Sequence, residues 1–153
     1  MQIAILLYHR FTALHAVGPY EVLSLLPGAE VLFVAEQPGP VADYWGSLQL
    51  VAGAALGDMP SPDILSRSGV AATSERVVFD GKYVTAAGVS AGIDMGLALA
   101  GRIAGDEIAQ AIQLGIEYDP QPPYDAGSPD RAPADIVSAM RARSRFILTG
   151  RPT

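Results

Sequence analysis

Residues 2–35 read QIAILLYHRFTALHAVGPYEVLSLLPGAEVLFVA, and their hydrophobic spacing decides the fold class. Gln2 to Tyr8 is a short apolar run ending in turn-forming residues, as expected of a strand buried on both faces in a parallel sheet. From Thr12 to Leu26 the apolar residues Leu14, Val17, Val22, Leu25 and Leu26 fall at helical spacing, with a bend expected at Gly18-Pro19. Pro27-Gly28 ends that helix, and Glu30 to Ala35 is a second strand. Strand, helix and strand in this order imply an α/β protein with a mostly parallel sheet.

The remaining chain extends the pattern. Pro38-Gly39-Pro40 punctuates before a third short strand over Ser47 to Ala52. Pro60-Ser61-Pro62-Asp63-Ile64-Leu65 starts like another buried strand, which the polar, small-residue stretch Ser66 to Thr73 cuts short. Asp80-Gly81-Lys82 between Arg76 to Phe79 and Tyr83 to Ala87 is a hairpin signal. Ser90 to Ala104 and Asp106 to Tyr118 read as consecutive helices, a Pro-rich loop covers Asp119 to Ala132, and Pro133 to Phe146 is a final helix. No repeat is visible, and 153 residues fit one domain, whose core at this size buries roughly 70% of the surface exposed by the unfolded chain.

Half the residues are apolar and 17% are charged, which marks a well-covered globular chain. The formal net charge of −6 argues against a nucleic-acid partner, which needs clustered cations. Arg141, Arg143 and Arg145 are read instead as cations complementing the end of the last helix. The apolar stretch Val84 to Ala104 contains Asp94 and Arg102 and is rich in Gly and Ala, so a buried helix is expected there and no membrane partner. No segment has the form of a secretion signal, which points to a cytoplasmic protein. There is no cysteine, so disulfides, thiolate metal sites and thiolate catalysis are all excluded.

Tyr8-His9-Arg10-Phe11-Thr12-Ala13-Leu14-His15-Ala16-Val17-Gly18-Pro19-Tyr20-Glu21-Val22-Leu23 resembles the strand-to-helix opening of the ThiJ/PfpI superfamily, in its isonitrile hydratase branch. The C-terminal half, including Ala109-Gln110-Ala111-Ile112-Gln113-Leu114-Gly115-Ile116-Glu117-Tyr118-Asp119-Pro120, resembles the end of the same proteins. The resemblance implies a class I glutamine amidotransferase-like architecture: a shortened, flavodoxin-like three-layer α/β sandwich with a terminal β-hairpin, forming one domain over residues 1–153. It also implies a homodimer. In such proteins the Asp-Ile-Leu strand runs on into an oxyanion-forming glycine pair, a helix and the turn that presents a cysteine. Here Asp63-Ile64-Leu65 passes within a few residues to Ser68-Gly69-Val70, so the central segment with the nucleophile is missing. The acidic residue that faces the nucleophile aligns with His15, and the usual Pro-Gly aligns with His9-Arg10. If a strand has been lost from the sheet, Gln2 to Tyr8 must re-pair, either with Tyr83 to Ala87 or with a second copy.

His9 and His15 are the only histidines, and both border the pocket that the resemblance implies. Near a helix N-terminus the cationic form of His15 is disfavoured, leaving a neutral imidazole able to act as a base. One reading makes His15, Glu21 and Tyr8 the catalytic groups of a cofactor-free hydratase, lyase or isomerase, with Glu21 partly buried and its ionisation raised. His9, Gly88 and Ser90 would then bind the small-molecule substrate. The other reading is a non-catalytic, homo-oligomeric binding or regulatory module. The six-residue spacing of His9, His15 and Glu21 does not align them on one helical face, so no metal is implied. Gly88-Val89-Ser90-Ala91-Gly92 has the Gly-x-Ser-x-Gly form of a serine elbow, but both histidines precede it, the reverse of the hydrolase order. The spacing of Gly88, Gly92 and Gly96 instead predicts a helix face bare enough for close packing.

Overall fold

The computed structural model of the chain describes residues 1–59, 62–66, 76–81 and 83–143. By its internal contacts the chain divides into two compact units, Met1–Tyr118 and Asp119–Thr153. In the first, β1 (Gln2–Leu6) leads through α1 (Ala13–Leu23) to β2 (Glu30–Ala35), then to β3 (Gly39–Ala42), β4 (Gln49–Ala52) and β5 (Ala54–Ala55). After a single 3-10 turn come β6 (Ile64–Ser66), β7 (Val77–Asp80), β8 (Tyr83–Ala86), α2 (Ala91–Ala104) and α3 (Asp106–Gly115). The described part of the second unit is a stretch with bends and turns, with Arg131 paired to Asp125 at 2.9 Å, followed by α4 (Ala134–Arg143).

Among the described residues, six strands form one sheet in the order β5-β2-β1-β6-β8-β7, parallel except for the β7–β8 hairpin. β1 is central, pairing in parallel with β2 from Gln2↔Glu30 to Leu6↔Val34. The expected direct closure of β1 onto the β8 segment is not what occurs. The three-residue β6 lies between them, with Ile3↔Ile64 on one side and Leu65↔Tyr83 on the other. Asp63 seats this short strand: its carboxylate accepts the Gln2 amide at 2.8 Å while its own amide donates to the Gln2 carbonyl at 3.1 Å. Two bonds at the start of the strand offset part of what three residues of ladder lack. The Ser68-Gly69-Val70 segment lies outside the described residues, as does Lys82 in the hairpin turn.

The third strand also departs from expectation. β4 pairs antiparallel with β3, from Gly39↔Ala52 to Ala42↔Gln49, as a separate two-stranded ribbon and not as a member of the main sheet. Pro40 lacks a ladder donor, which confines its strand to an edge of this kind. Val41 and Leu50 pack this ribbon onto Ile5, Leu7, Phe11, Ala16 and Ala35.

A larger core joins Ile3 of β1 and Val84 of β8 to Val22 and Leu23 of α1, Met95 and Leu99 of α2, and Ile112 of α3. α1 and α2 approach closely because α2 presents glycine. A Cβ at Gly92 would stand 2.9 Å from Pro19 Cδ, and one at Gly96 would stand 2.9 Å from Val22 Cβ. The expected bare helix face is therefore Gly92 and Gly96. Gly88 lies before the helix at φ +98° and has nothing within 4 Å of its Cβ position, so it serves the turn.

α3 stops at Gly115, three residues short of the expected Tyr118. The Tyr118 amide reaches back to the Gln113 carbonyl and the Glu117 amide to the Leu114 carbonyl, each at 3.1 Å, with Glu117 at φ +52°. This is the left-handed helix stop that glycine normally occupies. It turns Tyr118 so that its hydroxyl donates to Asp94 at 3.0 Å, and Asp94 is also paired with Arg76. Among the described residues no helix is long and apolar enough to cross a membrane.

Candidate functional site

The centre of the predicted site is the first turn of α1. Thr12 enters it with extended backbone, φ −85° and ψ 117°, and the His15 amide donates to the Thr12 carbonyl at 3.0 Å. Four residues on, Pro19 has no N–H to return to the His15 carbonyl, so that helical bond cannot form. The Pro19 ring is buried and covers Gly92, which draws the start of α2 and the Gly88 turn toward His15. Both ring nitrogens of His15 are buried without a hydrogen-bond partner. Burial lowers the His15 ionisation below its usual 6.5; the Gly88 backbone, close to the ring but outside hydrogen-bond geometry, opposes this more weakly. A neutral imidazole was expected from the helix dipole, and in the structure burial is its main cause.

The other predicted residues fall in two places. Tyr8, 41% exposed, and His9, also exposed, occupy the turn that leaves the C-terminal end of β1. The Phe11 amide closes that turn onto the Tyr8 carbonyl at 3.0 Å, and Arg10 takes φ +63°. Gly88 and Ser90 lie at the entrance to α2, both exposed. Ser90 has ordinary helical backbone, φ −77° and ψ −17°, so the strain of a nucleophile elbow is not on the serine. Glu21 corrects an expectation: it is exposed, not partly buried. Six residues along a helix turn it about 120° around the axis from His15, onto the solvent side.

Sequence reading missed the tip of the β3–β4 ribbon, which is fastened to the same turn. The Arg10 amide donates to the Ala42 carbonyl at 3.1 Å, the Tyr44 amide to the Phe11 carbonyl at 2.9 Å, and Phe11 and Asp43 form a parallel bridge. Asp43, 7% exposed, shapes the tip by accepting the Leu48 amide at 3.2 Å on its carboxylate. On this frame the Arg10 guanidinium lies 4.5 Å from the Tyr44 ring centre, and Trp45 meets Tyr44 edge-on at 5.2 Å. Trp45 itself is 82% exposed. The available signal was Asp43-Tyr44-Trp45-Gly46, a turn sequence with Gly46 at φ +76°, following a Pro-Gly-Pro that read only as punctuation.

No family model matches the chain. An isonitrile hydratase from Pseudomonas putida is 45% identical over 82 residues, which is 54% of this chain and 36% of that protein. The crystal structure of a ThiJ/PfpI family protein from Pseudomonas syringae superposes with a TM-score of 0.84 at 26% identity, covering 95% of this chain and 87% of the other. The chain belongs to the ThiJ/PfpI superfamily. It is isonitrile hydratase-like in sequence, and it spans about a third of the length of that curated relative. Drosophila melanogaster DJ-1beta shares the fold, with a TM-score of 0.61 at 14% identity over 78% of this chain and 98% of that one.

As a ThiJ/PfpI chain without cysteine, it has no thiolate to attack a substrate. What it has in the first turn of α1 is His15, an imidazole with one donor and one acceptor that the surrounding protein leaves unused.

Proposed function

We propose that this ThiJ/PfpI chain binds a small uncharged organic molecule of the isonitrile or N-formyl amide class at the corner formed by His15 and the Gly88 turn, without covalent catalysis. The observation that carries this is the pair of buried, unpartnered ring nitrogens on His15. An unmade hydrogen bond at a buried polar atom costs about 1–3 kcal/mol, and a neutral imidazole has one donor and one acceptor to satisfy. An N-formyl amide carries a carbonyl and an N–H, the complement of that pair. Burial disfavours the imidazolium, so an uncharged ligand suits the ring better than an anion. The likeness to isonitrile hydratase supports the choice of ligand class.

Turnover is the finer form of the same proposal. Hydration of an isonitrile adds the oxygen of water to its carbon and places the two protons of water on carbon and nitrogen, so His15 would have to carry protons in both directions. The exposure of Glu21 favours the second reading, a binding module without catalysis, because no carboxylic acid then assists the histidine at this helix turn.

The test uses saturation-transfer NMR with N-cyclohexylformamide, and NMR detection of that product from cyclohexyl isonitrile, on the wild-type chain and on His15→Ala. Transfer to the formamide that disappears in His15→Ala is the expected result. Absence of transfer in the wild type sinks the proposal. Product formed above buffer and lost in His15→Ala makes the chain a hydratase; binding without product makes it a binding module.

A further inference from the structure

The protein contains a single tryptophan, and it is 82% exposed at the tip of an ordered ribbon. That exposure is not a consequence of a loose loop. Gly46 donates to the Asp43 carbonyl at 3.1 Å, Asp43 donates to the Leu48 carbonyl at 2.9 Å, and the buried Asp43 carboxylate holds the Leu48 amide. The tip is in turn bonded to Arg10 and Phe11, and Phe11 directly precedes Thr12, whose carbonyl receives the His15 amide. Trp45 and His15 are thus tied to one short stretch of backbone at the C-terminal end of the central strand, where open parallel α/β sheets place their ligands. With Arg10 set over the face of Tyr44 and Trp45 perpendicular to Tyr44, most of the indole is left exposed.

We infer that Tyr44 and Trp45 are specificity-determining residues, an aromatic wall that receives the organic substituent of the molecule whose polar head is held at His15, and that the ligand therefore carries an aryl or arylalkyl group. This rests on the binding site proposed above and adds the substituent to it. Ring stacking contributes about 0.5–1.5 kcal/mol beyond area burial, which converts to roughly a two- to thirteenfold preference for an arene over a methyl group.

The single tryptophan makes the test direct. N-benzylformamide and N-methylformamide are titrated into the full chain, with affinity measured by ligand-observed NMR and the Trp45 environment by its fluorescence. The expected result is a blue shift of the emission with N-benzylformamide alone, and a roughly two- to thirteenfold tighter affinity for it. Trp45→Ala removes that preference, and Trp45→Phe retains most of it. Equal affinities, or N-benzylformamide binding that neither shifts the emission nor responds to Trp45→Ala, overturn the inference while the His15 site stands. Absence of NMR binding for both formamides overturns the site and the inference together. A blue shift produced by raising protein concentration without ligand assigns the aromatic tip to a second copy of the chain and also overturns the inference.

Discussion

Replacing Gly96 by alanine tests the packing that brings the predicted site together. A Cβ there would lie 2.9 Å from Val22 Cβ, 3.1 Å from Cγ1 and 3.3 Å from Cγ2. The nearest of these atoms is fixed to the α1 backbone, and a β-branched side chain has little rotamer freedom in a helix, so rotation of Val22 does not relieve the contact. Overpacking of this kind costs about 1–3 kcal/mol, and here the upper part of that range applies. Against it stands the helix-propensity gain of alanine over glycine, about 1 kcal/mol. The net expectation is a loss of about 1–2 kcal/mol, a fall in Tm of about 2–4 °C for each kcal/mol in a chain of this size. Urea denaturation followed by circular dichroism should show a lower midpoint with an unchanged slope. Gly115→Ala is the control: nothing stands within 4 Å of its Cβ position, and a gain of about 0.4–1 kcal/mol is expected. Adding Val22→Ala to Gly96→Ala removes the contacts to Cγ1 and Cγ2 but not the one to Cβ, and should recover part of the loss relative to additivity, about 0.5 kcal/mol or more. If Gly96→Ala is stabilised as much as Gly115→Ala, the close approach of α1 and α2 is refuted, and with it the enclosure of His15.

Two further expectations concern single residues. Because burial lowers the ionisation of His15 below 6.5 in the folded chain, the unfolded chain takes up its proton first as pH falls. The contribution of neutral His15 to stability is complete above pH 6.5 and is lost below it, by at most about 1.4 kcal/mol per pH unit, until the folded ring also titrates. Midpoints measured at pH 7.5, 6.5 and 5.5 should fall more steeply for the wild type than for His15→Gln, and parallel pH profiles would contradict this. Glu117→Gly relieves a left-handed residue, φ +52°, whose exposed side chain packs against little. A gain of about 1 kcal/mol in urea unfolding is expected, and a loss would mean that the Glu117 side chain contributes to the helix stop.

The legible parts of this chain are those whose cause is local. The alternation between apolar runs and turn residues placed β1, α1 and β2 within a few residues, and Asp80-Gly81 marked the β7–β8 hairpin. Glycine spacing marked the face of α2 that meets α1, although it counted Gly88 where the turn, and not the interface, needs glycine. The chemistry of the site was partly legible in the same way. The absence of cysteine excluded thiolate catalysis outright, and the two histidines pointed to the end of the sheet where the aromatic ribbon tip also lies.

What a residue faces is a different quantity. Glu21 has apolar neighbours at helical spacing, yet it is exposed, because the width of the buried stripe depends on which elements cover α1. The same holds for the strands: Gln49 to Ala52 reads equally well as a member of the main sheet or of a separate ribbon, and Ile64 to Ser66 is too short to name its neighbours. The amino-acid sequence by itself determined the class of the fold, the order of its elements and the loss of thiol chemistry, since each follows from residue type and short-range spacing. Only the tertiary structure decided that β6 separates β1 from β8, that the ribbon carries Trp45 to the turn before α1, and that both nitrogens of His15 are buried without partners. Those outcomes depend on contacts between residues far apart in the chain, which no local pattern encodes.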